Sequence, residues 1–151
     1  MTSYAELASQ LVAADDAWHV VGPQPPSRVD DVESKLSIRL PDSYRRYLVE
    51  VGGIEYPNHC YEGLGDDYLH PEYGFGRFTR ILREDNDLPD GLFVIEHDHD
   101  ADELVCLDLN QMHDGECPLV WFHVYENVVT GPCEPTFDSF FRNLVDSWVN
   151  M

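Results

Sequence analysis

Leu104-Val105-Cys106-Leu107-Asp108-Leu109 is the middle one of three apolar runs that decide the fold. The other two are Leu92-Phe93-Val94-Ile95 and Leu119-Val120-Trp121-Phe122-His123-Val124-Tyr125. Short runs rich in branched and aromatic side chains, bounded by turn residues, are typical of buried strands. The runs therefore predict three strands of a meander, and residues 127–130 predict a fourth short strand.

Helical patterns flank these strands. Apolar side chains recur at helical spacing over residues 5–18, 29–38 and 44–51, and again from Phe137 to Trp148. Residues 54–78 lack a clear period and predict a loop with short strand pieces, whereas residues 79–84 predict a short helix. Helices first, antiparallel strands next and one closing helix make an α+β domain. We expect one domain over residues 1–151, with an antiparallel sheet of about four to six strands flanked by N-terminal helices and a C-terminal helix.

The charge of the chain is strongly negative and unevenly distributed. The 151 residues include 29 acidic and 9 basic side chains, a formal net charge of −20. Residues 1–83 hold 13 acids and 8 bases, whereas residues 84–151 hold 16 acids and only Arg142. Such a surface opposes non-specific binding to nucleic acids and to anionic membranes. It favours either simple solubility or a face that attracts a basic partner.

The sequence also indicates a cellular compartment. The first residues lack the basic and apolar regions of a secretory signal, and no apolar run approaches the roughly 20 residues that cross a bilayer. The four cysteines form no Cys-x-x-Cys pair, so we expect reduced thiols and a cytoplasmic protein.

Most familiar catalytic motifs are missing from the sequence. There is no Gly-x-Ser-x-Gly elbow, no phosphate-binding loop ending in Gly-Lys, and no His-Glu-x-x-His. One acidic segment, His97 to Glu103, offers a weak metal site: strand alternation would place His97 and His99 on one side, with Asp100 nearby. The competing interpretation is a solvated hairpin loop whose Asp side chains cap backbone N–H groups.

Several segments together resemble a known family. The first runs from Pro26-Ser27-Arg28-Val29-Asp30-Asp31-Val32 through Leu40-Pro41 and Tyr44 to Gly52-Gly53. It is followed by the glycine turn Gly63-Leu64-Gly65, the hairpin strands from Leu88 to Leu109, and a last strand and helix. This order resembles the SUKH superfamily, in the branch named after the fungal cell-wall assembly regulator. The resemblance covers residues 25–148 as a family-like core and leaves residues 1–24 as a variable helix with a proline-rich connector.

The resemblance implies a function. Bacterial members of the superfamily often act as immunity proteins, which bind and block a toxin domain, commonly a nuclease. It carries over no catalytic residue and no cofactor. A nuclease displays cationic groups to hold phosphates, and an inhibitor with surface carboxylates can occupy that site. We therefore expect a non-enzymatic protein, a monomer or weak dimer, that binds a basic toxin through an acidic face.

The candidate contacts are acidic residues in loops and strand ends, with three tyrosines as aromatic anchors. The acids are Glu62, Asp66, Asp67, Asp98, Asp100, Asp102, Glu103 and Glu126. The anchors are Tyr61, Tyr68 and Tyr73, because aromatic side chains usually contribute most to a protein interface. Two other hypotheses stay open: a regulatory adaptor, as the fungal members suggest, and a metal-dependent enzyme that uses the His97–Glu103 loop.

Overall fold

The computed structural model describes residues 2–98 and 101–151. Within them the chain forms five α-helices and seven strands. The helices are α1 (Tyr4–Ala14), α2 (Pro26–Leu36), α3 (Asp42–Glu50), α4 (Arg77–Asp85) and α5 (Phe137–Val149). The strands are β1 (His19–Val20), β2 (Ile54–Tyr56), β3 (His59–Tyr61), β4 (Leu92–Asp98), β5 (Glu103–Asp108), β6 (Leu119–His123) and β7 (Val128–Glu134).

The seven strands form a single antiparallel sheet in which spatial order follows chain order, from β1 to β7. The α+β class and the central meander are confirmed, but the sheet has more strands than the four to six expected. The additional strands lie at the β1 edge and contain only two or three residues each. Such strands are too short to show a hydrophobic period, and pairing with a neighbouring strand defines them.

Helices cover both faces of the sheet. One face carries Phe93, Ile95 and Val105 and packs in one cluster with buried residues of α1, α2, α3 and α5. The opposite face carries Val94 and Phe122 and packs against α4. Among the described residues the fold therefore has three layers, and α4 is the helix that forms the third layer. The sequence pattern predicts the α4 helix but not its position on the opposite face.

The first helix belongs to the main core. Its Tyr4, Leu7 and Leu11 side chains are buried, and the Tyr4 hydroxyl donates a 2.6 Å hydrogen bond to Asp138 at the start of α5. The helix ends at Ala14, four residues before the predicted end, where the N–H of Asp15 bonds the carbonyl of Leu11. Trp18 lies beyond the helix, buried against Tyr56 and Trp148.

Two helices receive N-terminal caps from distant glutamates. Pro41 precedes α3 and forms no side-chain capping bond, but the Glu116 carboxylate accepts hydrogen bonds from the Ser43 N–H (3.0 Å) and hydroxyl (2.6 Å). Gly76 precedes α4 and has no side chain to cap with, but the N–H groups of Gly76 and Phe78 bond the Glu62 carboxyl. Carboxylates stabilise a helix N-terminus because they satisfy free N–H groups and complement the helix dipole.

Candidate functional site

A groove of about 500 Å³ lies between the β2–β3 hairpin, the segment that follows β3, and the start of α4. We call it the acidic groove. Six of the residues singled out in the sequence line it: Tyr61, Glu62, Asp66, Asp67, Tyr68 and Tyr73. The structure thus gathers the acidic and aromatic candidates of the irregular segment at one site.

The glycine turn shapes the floor of this groove. Gly63 packs directly against Gly53, and the Leu64 N–H donates a 2.7 Å hydrogen bond to the Gly52 carbonyl. Gly52 has φ of +78°, in the left-handed region that glycine tolerates best. These contacts fix the turn after β3 to the end of α3, and the turn presents Asp66 and Asp67 to solvent at the rim.

The tyrosines of the groove are held in different ways. The Tyr68 hydroxyl donates to Asp31 of α2 (2.9 Å), and the Arg28 guanidinium lies 4.8 Å from the centre of the Tyr68 ring. Tyr73 is 65% exposed and stacks on His70. Tyr68 is therefore a fixed wall, whereas Tyr73 offers most of its surface to a partner.

Glu62 was expected to be a surface contact, and the structure corrects this prediction. The residue is 6% exposed, because its side chain turns inward to the first N–H groups of α4. Burial raises the pKa of its carboxyl to about 7, although the Gly76 and Phe78 N–H groups and the Arg77 charge oppose that shift. Glu62 thus supports the groove from beneath instead of forming its rim.

A second, partly buried carboxyl, that of Glu96, lies on β4. A β-bulge between Val94 and Glu96 places Glu96 opposite Val105, on the face that packs against α1 to α3 and α5. Burial and the neighbouring Asp98 raise the pKa of Glu96 to about 7. The sequence analysis did not select Glu96, because only the bulge turns it towards the core.

The remaining acidic candidates lie at the β4–β5 end of the sheet. We call Asp98, Asp102, Glu103 and Glu126 the hairpin end. The Glu103 carboxylate accepts a 2.6 Å hydrogen bond from Thr130, and the Asp102 carbonyl accepts one from the Val124 N–H (2.8 Å). Asp98 lies 3.8 Å from the His59 imidazole, which also lines the acidic groove. His59 thus lies between the two acidic regions.

The metal hypothesis for the His97–Glu103 loop stays a prediction. His99 and Asp100 lie outside the described residues. His97 faces the α4 side of the sheet, where its ring packs edge-on against Phe78 at 5.3 Å between centroids. Within residues 2–98 and 101–151, no group of three or more His, Cys, Asp or Glu side chains is placed to hold a metal ion.

The four cysteines form no disulfide bond among the described residues. Burial is the first cause of a raised pKa in each of them, and it brings the pKa of Cys106 and Cys117 to about 12 and that of Cys133 to about 11. A thiol must ionise to act as a nucleophile, so all four are poorly suited to covalent catalysis at neutral pH.

The acidic groove has the chemistry of a cation-binding surface. Its lining includes the carboxyls of Glu55, Asp66 and Asp67, beside the buried Glu62. Among the described lining residues, Arg77 provides the single guanidinium that offsets these negative charges. Exposed carboxylates and aromatic rings both attract ammonium and guanidinium groups. The sequence analysis missed Tyr56, His59 and Arg77 as lining residues, since each reaches the groove from a different element.

The helices described in the structure include none that is both long and apolar enough to cross a membrane. In a comparison with protein-family models, the model of the SMI1 / KNR4 family (SUKH-1) matches residues 25–143. The matched range begins just before α2 and ends within α5, so it contains every described strand except β1 and every lining residue of the acidic groove except Val21.

Proposed function

Because the chain belongs to the SMI1 / KNR4 family (SUKH-1), we propose that it is a non-enzymatic binding protein that neutralises a basic toxin domain, as an immunity protein does. The observation that carries this proposal is the acidic groove, where exposed carboxylates and an exposed aromatic ring share one concave surface. Such a surface fits a partner with protruding Lys or Arg side chains.

Electrostatic attraction supports this binding mode. With a net charge of −20, the whole molecule draws a basic partner towards itself, and complementary fields raise association rates by about 10- to 1,000-fold at low salt. Rim carboxylates such as Asp66 and Asp67 then act mainly on the rate of association. Tyr73 supplies the apolar contact area that holds the complex together.

The same proposal implies a cellular compartment and a class of partner for the protein. Four cysteines without a disulfide bond among the described residues suit a reducing cytoplasm, where an immunity protein meets a toxin that acts inside the cell. The partner class is a protein with a basic surface, and neither nucleic acid nor membrane is a ligand of this acidic surface.

Co-expression with the product of the adjacent reading frame tests the proposal. That product is expressed from an inducible promoter, with and without this protein, and growth is measured. We expect the neighbour to arrest growth and the wild-type protein to restore it. A neighbour that binds tightly but is harmless alone would contradict the immunity role and favour a regulatory adaptor.

Charge-matched variants locate the interface in the same assay. The double variant Asp66→Asn, Asp67→Asn removes two charges at the groove rim. The control Asp85→Asn, Asp90→Asn removes two charges elsewhere on the surface, where neither side chain makes a hydrogen bond among the described residues. We expect weaker rescue from the rim variant only. We also expect its affinity to fall less than that of the control between 50 and 300 mM salt, a range over which the Debye length shortens from roughly 14 to 6 Å. Equal effects of both variants would exclude the groove as the contact.

A further inference from the structure

A small internal cavity lies beneath the acidic groove, between α3, α5 and the sheet. Its walls are mostly aromatic rings and aliphatic side chains, but Tyr44 and Glu62 also line it. The volume open to the centre of a water molecule is about 10 Å³. A single water needs roughly 10–15 Å³ on this measure, so the cavity is at the lower limit for one water and too small for any larger ligand.

Two polar atoms at this cavity need a partner. Tyr44 Oη and Glu62 Oε1 are both buried, and neither forms a hydrogen bond with any atom of residues 2–98 or 101–151. Leaving a buried polar atom unsatisfied destabilises the folded state, because the atom loses its hydrogen bonds to water and gains none in the protein. Folded proteins satisfy the great majority of such atoms, either directly or through an ordered water.

The two atoms are close in space but not in direct contact. Both side chains line the same cavity of about 10 Å³, which brings the carboxyl and the hydroxyl within reach of one water molecule. The Glu62 charge also adds to burial in raising the pKa of Tyr44. No direct hydrogen bond joins them. A gap of this kind is what one water bridges, since it can accept one hydrogen bond and donate another.

We propose that this cavity binds one structural water molecule, which accepts from the Tyr44 hydroxyl and donates to Glu62 Oε1. The water satisfies both buried atoms at once. It links α3, through Tyr44, to the first turn of α4, through the Glu62 carboxyl that bonds Gly76 and Phe78. Glu62 is therefore a positioning residue. Directly under the groove, it joins the segment after β3 to α3 and to α4.

Tyr47 provides a matched control for Tyr44. It lies one helical turn further along α3, its ring stacks on that of Tyr44, and it lines the same cavity. Its hydroxyl, however, has a backbone partner at Ile54. Tyr44→Phe and Tyr47→Phe remove the same group from neighbouring buried rings, but only the first change removes a ligand of the proposed water.

Crystal structures of the wild-type protein and both variants, at a resolution that shows ordered water, test the proposal directly. We expect electron density for one water within about 3 Å of both Tyr44 Oη and Glu62 Oε1. We expect it to disappear in Tyr44→Phe and to persist in Tyr47→Phe. An empty cavity in the wild-type protein, or a direct Tyr44–Glu62 hydrogen bond, would refute the proposal.

Solution measurements distinguish a water ligand from a general packing effect. Water–protein cross-relaxation in NMR spectra should detect a long-lived water near the aromatic protons of Tyr44, and Tyr44→Phe should remove the signal.

Amide exchange at Gly76 and Phe78 should become about fivefold faster in Tyr44→Phe, since loss of one hydrogen bond changes local stability by about 1 kcal/mol. Equal acceleration in Tyr47→Phe would contradict the specific link from Tyr44 to α4. None of these readouts depends on the proposed toxin partner.

Discussion

The backbones of Gly53 and Gly63 touch: a Cβ atom added to either glycine would lie 2.9 Å from the Cα atom of the other. This contact joins the end of α3 to the turn after β3, and a hydrogen bond from Leu64 to Gly52 reinforces it. Real Cβ atoms do not approach other backbone atoms so closely, so both positions require glycine. The position of Glu62, one residue before Gly63, depends on this contact.

Replacement of Gly63 should therefore be costly. Gly63→Ala would place a methyl group 2.8 Å from the Gly52 carbonyl oxygen, and the two backbone segments must separate. We expect the free energy of unfolding to fall by about 2 kcal/mol or more, as for other overpacked sites. The control is Gly65→Ala, where no atom lies within 4 Å of the new Cβ. Urea unfolding that shows equal losses in both variants would contradict this interpretation.

The stability of the protein should fall as pH rises from about 4.5 to about 7. Burial raises the pKa of Glu62 from 4.5 in the unfolded chain to about 7 in the folded one, so between these values the folded state binds an additional proton. Each such carboxyl changes the free energy of unfolding by up to about 1.4 kcal/mol per pH unit in that window. Glu96 contributes with the same sign, and its pKa is also raised to about 7.

Urea unfolding at pH 5 and at pH 7.5 measures this dependence. The wild-type protein should be more stable at pH 5, and Glu62→Gln should lose the part of the slope that belongs to Glu62. Asp66→Asn, which removes an exposed acid of the same segment, serves as the control for general charge repulsion. If Glu62→Gln and Asp66→Asn have the same slope, the Glu62 carboxyl does not titrate in this window.

Glu116 should stabilise α3 from a distance of 73 residues in sequence. Its carboxylate takes the place of a local cap, because Pro41 offers no side-chain acceptor to the helix. We expect Glu116→Ala to lower the free energy of unfolding by about 1–2 kcal/mol, the usual cost of a lost N-cap. Glu126→Ala, at an exposed turn, should change it by less than about 0.5 kcal/mol. A neutral Glu116→Ala variant would show that α3 does not need this cap.

The first helix should contribute to the core although it lies outside the family match. Leu11 is completely buried, whereas its neighbour Val12 is 39% exposed. We expect Leu11→Ala to cost about 2–4 kcal/mol of unfolding free energy, because it leaves a cavity, and Val12→Ala to cost well below 1 kcal/mol. Calorimetry on the two variants compares adjacent positions of one helix, and similar melting temperatures would show that α1 is only loosely attached.

The sequence predicts the central part of the fold better than its edges. The apolar runs that begin at Leu92, Leu104 and Leu119 predict β4, β5 and β6 because their composition alone requires burial on both faces. Strands β1, β2 and β3 contain two or three residues, and their pairing depends on glycine contacts such as that of Gly53 with Gly63. A local hydrophobic pattern does not contain that information.

The sequence predicts part of the acidic groove, because a local pattern can identify side chains that reach the surface. Asp66, Asp67 and Tyr73 are polar or amphipathic side chains in an irregular segment, and such residues usually reach the surface. Glu62 belongs to the same segment, but its direction is set by the N–H groups of α4, which begins 15 residues later at Arg77. Burial of a carboxyl by a later helix is a tertiary effect that no local pattern shows.

The packing of α1 on α5 affects how the protein is made in the cell. Each strand after β1 pairs with the strand before it, so the sheet can grow while the nascent chain leaves the ribosome. Tyr4, however, finds its partner Asp138 only after 134 more residues have been synthesised. Until then the part of the first helix that packs on α5 stays open to water and to chaperones. Synthesis of the last helix is thus the event that completes the core.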